Sequence, residues 1–182
     1  HRDNRSQGIY EYALSPEQAY KTEMNDEISA NMASLVYLRD KYLKTGDISV
    51  FEEDGLRFRF YTDAIKRGEI NPFSNKKEDF DKEMALIANG TRDMWMRDFS
   101  GTYVDYGVRN AKSYGEKDGK HAAYYDQNYE RARKIAYTIG GVDFTQYMDK
   151  DVEIPDAGKR RIMGSEKLAE ELGLPKDDGK MS

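Results

Sequence analysis

Apolar residues recur at helical spacing over most of the chain. Between Ser15 and Gly46, Tyr20, Met24, Ile28, Leu35, Leu38 and Tyr42 stand three, four or seven positions apart, the pattern of one buried stripe on an α-helix. Ser15, Pro16 and Gln18 make a capping box with proline at the first helical position, and Gly46 supplies the stop. This stretch predicts one long helix, or two that abut near Asn25-Asp26. After it, DISVFEED predicts a short helix, and Leu56 to Arg67 a second one, closed by Gly68 and Pro72. LRFRFYT alternates as a strand would, but no other stretch offers it a partner.

Ser74 caps the next run, in which Phe80, Met84, Ile87 and Ala88 share a face; Asn89-Gly90 reads as its end and Thr91 as a restart through MWMRDF. Between Gly101 and Gly119 the periodicity weakens, which predicts a helix followed by a mobile loop. QNYERARKIAYTIGG is helical again, with Tyr129, Ala132, Ile135, Ala136 and Ile139 inward. A turn at Pro155 and a short helix capped by Ser165 and closed by Gly173 complete the chain, with PKDDGKMS expected to fray. No repeat of solenoid length occurs. The pattern therefore predicts an all-α fold, a single domain over residues 1–182 built as an irregular bundle of about five to seven helices.

Composition narrows the function classes. Charged residues make up 35% of the 182 and apolar ones 38%, so nearly all of the apolar stock is needed inside. A net charge of −5, with Lys159-Arg160-Arg161 as the longest basic run, opposes a nucleic-acid partner, because phosphates need a basic face. The absence of cysteine excludes disulfides, thiolate metal sites and a cysteine nucleophile. No apolar run approaches the ~18 residues of a membrane span. Compartment stays open, with bacterial cytoplasmic and secreted settings both compatible.

Candidate chemistry lies at few positions. His1-Arg2-Asp3 has the look of a kinase catalytic loop, but the asparagine that such a loop needs five residues after the aspartate is replaced by Gly8. Asn4-Arg5-Ser6 and Asn89-Gly90-Thr91 have the form of glycosylation sequons. His121, next to Gly119-Lys120 in the expected loop, reads as a solvated residue. Tyrosine is frequent, at 14 residues, and Tyr103, Tyr106, Tyr114, Tyr124, Tyr125 and Tyr129 crowd one region. They form either a protein contact face or the wet rim of a small core. Glu23 and Glu27 are four apart and share a helix face. Taken alone, they read as a solvated acidic edge near a helix start.

His1 and Glu27 together suggest more. HRDN…SPEQAYKTEMNDEISANMASL resembles the region that follows the H-E-x-x-H zinc helix in bacterial zincin-type metallopeptidase domains; the likeness covers about the first 40 residues. It implies a zinc ion held by His1, as the second histidine of that motif, and by Glu27 as the later carboxylate ligand, with Ala30 as the small residue that lets helices approach. Asp3, Asp26 or Asn31 would orient the ligands. The resemblance further implies a peptide or protein substrate. It makes the chain the C-terminal helical portion of a larger protein, whose H-E-x-x half precedes residue 1, so that the isolated chain is not itself a competent enzyme. The rival reading is a non-catalytic helical interaction module of a larger bacterial protein, contacting a partner through the tyrosine-rich face. A helical regulatory or immunity-type protein is a third.

Overall fold

The structure is a computed structural model that describes residues 16–115 and 119–171. Among these it is all-α, with five α-helices: α1 (Pro16–Thr45), α2 (Arg59–Lys66), α3 (Lys77–Gly115), α4 (Gly119–Ala136) and α5 (Asp156–Glu171). Two 3-10 helices, Ile48–Asp54 and Phe144–Gln146, and a hairpin of β1 (Thr138–Ile139) and β2 (Val142–Asp143) complete the order. The described residues gather into two compact units, one comprising 16–27, 95–115, 119–136 and 152–171, the other Ile28–Met94 and Tyr137–Asp151. Both long helices, α1 and α3, contribute to each.

α1 is one uninterrupted helix, so the two-helix alternative at Asn25-Asp26 does not occur. Its expected apolar stripe is buried in full: Tyr20, Met24, Ile28, Leu35, Leu38 and Tyr42 all lie in the core. The burial reaches well beyond that stripe. Thr22, Glu23, Asn25, Asp26, Ser29 and Asn31 are buried as well, so the middle of α1 is covered on nearly every side.

In the first unit, α1 and α3 run antiparallel at close range. The Tyr20 hydroxyl meets Ser100 Oγ at 3.3 Å and donates to the Glu153 carbonyl at 2.8 Å. A Cβ on Gly107 would stand 2.5 Å from the Pro16 carbonyl oxygen, so glycine is what admits this approach. α5 packs its Gly158 against Val104 of α3, and Arg161 pairs with Asp105 at 2.6 Å. α5 starts at Asp156, well before the expected cap at Ser165, because Asp156 favours a helix start and Pro155 is tolerated just ahead of it.

Four differences from the periodicity stand out along α3 and α4, the first of them in the second unit. α3 passes straight through Asn89-Gly90, where a break was expected. Gly90 sits against the ring of Phe60, which occupies the space a Cβ would need, so here the glycine serves packing rather than termination. α4 ends at Ala136, and Ile139 belongs to the hairpin instead of the helix. Gly140 and Gly141, with φ of 58° and 80°, supply the two positive-φ positions of a tight hairpin turn. Ile135 is 44% exposed rather than inward. Likewise α3 continues to Gly115 through the stretch whose periodicity had faded.

The second unit is fastened by two polar knots. Glu83, 1% exposed, accepts two bonds from Arg39 (2.5 and 2.9 Å) and one from the Tyr61 hydroxyl (2.6 Å). Burial and the Glu83 carboxylate push the Tyr61 phenol far above its usual range. Arg92, also 1% exposed, donates to Asp93, Asn89, Asp149 and the Lys150 carbonyl, closing the segment after the hairpin onto α3. Asn89 adds a bond to the Tyr147 carbonyl at 3.1 Å.

Candidate metal centre

The first unit contains the acidic stretch that the sequence singled out. Positions 23, 26 and 27 are related as i, i+3 and i+4, so one side of α1 presents three carboxylates one above another. One oxygen from each of Glu23, Asp26 and Glu27 falls within 4.8 Å of the others. Glu23 is 4% and Asp26 3% exposed, and Glu27 is half-buried. The solvated acidic edge anticipated for Glu23 and Glu27 is thus not what forms; the face is enclosed.

Enclosure gives the cluster its electrostatic character. Three carboxylates this close repel one another, and the repulsion grows as water is withdrawn. The effect reaches Tyr103 on α3. Burial first, then the negative charges of Glu27, Glu23 and Asp26, push its phenol up to about 12. Tyr103 also ends an aromatic ladder on α3. Trp95 lies 4.1 Å from Phe99 and 6.5 Å from Tyr103 between ring centroids, at the i, i+4, i+8 spacing of one helical stripe. Trp95 is the only tryptophan of the chain.

The opposite side of α1 is occupied by α4. Asn25 Nδ2 donates to the Tyr129 hydroxyl at 2.7 Å, and the Lys21 ammonium lies 4.7 Å from the centre of the Tyr129 ring. These contacts hold the helix from behind while the carboxylates face the other way.

The structure brings together some of the candidates and not others. Glu27 and Asp26 share the carboxylate face, and Glu23 joins them. Asn31 accepts a bond from Arg57 Nη1 at 2.6 Å in the second unit. Ala30 is half-buried on α1. His1 and Asp3 lie outside the described residues, as does the sequon at Asn4. Of the tyrosine-rich region, Tyr103, Tyr106 and Tyr129 are half-buried. Tyr124 and Tyr125 fall on α4, but their side chains lie outside the described residues, as does that of His121. The burial of Glu23 and Asp26 carried no local signal, because acidic residues near a helix start are ordinarily solvated.

The donor chemistry is compatible with a metal. Carboxylate oxygens bind zinc alongside imidazole nitrogens, and bind magnesium, calcium or manganese in all-oxygen sets. Glu27, the least enclosed of the three, fits the role of a direct ligand. Glu23 and Asp26 fit that of acceptors for an imidazole N–H. No family model matches the chain, and neither a curated protein nor a solved structure does.

Proposed function

We propose that α1 carries the carboxylate half of a zinc centre, and that the chain is the helical portion of a zinc-dependent metallopeptidase acting on a peptide or protein. The observation that supports this is the gathering of Glu23, Asp26 and Glu27 within 4.8 Å on an enclosed helix face. Glu27 is the ligand of this reading, His1 supplies an imidazole, and the remaining imidazole and general base come from an H-E-x-x sequence outside these 182 residues. Zinc, when bound in such a set, lowers the pKa of a coordinated water to about 7 and polarises a carbonyl. The chain's own residues hold Glu27 in place: Asn25 and Lys21 pin the far side of α1 to Tyr129, and Glu23 and Asp26 flank the ligand.

The test uses the longer protein that includes the H-E-x-x sequence of this reading, and its Glu27→Gln variant, in equilibrium dialysis against zinc, with magnesium, calcium and manganese in parallel. Preferential zinc uptake that is lost in Glu27→Gln and in His1→Ala, with unchanged circular dichroism, supports the reading. Equal zinc content in all three proteins removes Glu27 and His1 as ligands and overturns it. Selective uptake of calcium, magnesium or manganese also overturns the peptidase assignment.

The alternative, a helical interaction module, draws on the partial exposure of Tyr103, Tyr106 and Tyr129 and of Phe99, which is 38% exposed. Alanine at Tyr124 and Tyr125 would then weaken partner capture without unfolding the domain, and would leave metal content unchanged.

A further inference from the structure

We draw no further inference here: the strongest candidate outside the carboxylate face, the cavity of about 170 Å³ beside the Ile48–Asp54 helix and α2, has an apolar floor of Ile48, Phe51 and Phe58 under exposed charges of both signs, and nothing in the structure shows what covers it.

Discussion

Charged side chains in this protein divide by enclosure, and their energetic weights divide with it. Glu83 is held by a bidentate guanidinium and a phenol in the interior of its unit, whereas the Arg97–Asp98 pair lies in solvent. Removing one partner of a buried pair leaves the other uncompensated and costs about 3–5 kcal/mol. An exposed pair is worth about 1 kcal/mol or less. Glu83→Gln, which keeps one acceptor, is therefore expected to lower stability by about 3 kcal/mol, and Arg97→Ala to leave it nearly unchanged. Urea-unfolding curves of the two variants check both, and equal midpoints would refute the distinction. Tyr103 gives a second residue-scale test. Burial disfavours its charged phenolate first, and the negative charges of Glu27, Glu23 and Asp26 add to this, so its pKa is raised to about 12. Above pH 10 the unfolded chain releases this proton while the folded one retains it. The contribution to stability is thus intact below pH 10 and lost as the pH rises towards 12. Absorbance titration of the wild type against Tyr103→Phe isolates this phenol, and Glu27→Gln is expected to bring it down towards its ordinary value.

Among the elements, α3 shows how packing overrules a local stop signal. Asn89-Gly90-Thr91 has the composition of a break and the form of a sequon, yet it is helical. Phe60 fills the space above Gly90, and the Asn89 amide donates to the Tyr147 carbonyl while its oxygen accepts from Arg92 and from the Asp149 N–H. Gly107 marks the corresponding close approach in the first unit. Alanine ordinarily favours a helix over glycine by about 1 kcal/mol. Here its Cβ meets the backbone oxygen of Pro16, which no side-chain rotation relieves. Gly107→Ala is accordingly expected to destabilise by about 1–3 kcal/mol, measured by chemical denaturation. Gly101→Ala, with open space around it on the same helix, serves as the control.

For the molecule as a whole, a ligand that binds only the folded state raises its stability in proportion to the logarithm of its concentration over the dissociation constant. On the proposed zinc reading, zinc at a hundredfold excess over that constant adds about 2.7 kcal/mol to the wild type, seen as a higher melting temperature, and little to Glu27→Gln. Trp95 provides a local report on the same event, since its ring neighbours Tyr103, whose phenol feels the three carboxylates. An ion that neutralises the cluster should change the emission of Trp95 in parallel with the melting shift. A melting shift that persists in Glu27→Gln would assign the ion to another place.

The sequence by itself determined the helical class and the inward stripe of α1, since a period of 3.6 along Tyr20, Met24, Ile28, Leu35, Leu38 and Tyr42 leaves few other ways to bury those side chains. It also put Glu23 and Glu27 on one face, because that follows from helix geometry alone. Only the tertiary structure decided that this face, Asp26 included, is enclosed and adjoins Tyr103. Burial depends on which helices cover a given side, and that choice is made by contacts between residues some 80 positions apart, such as Tyr20 with Ser100. The same holds for Gly90, whose role was set by Phe60 beside it and not by the residues next to it in the chain.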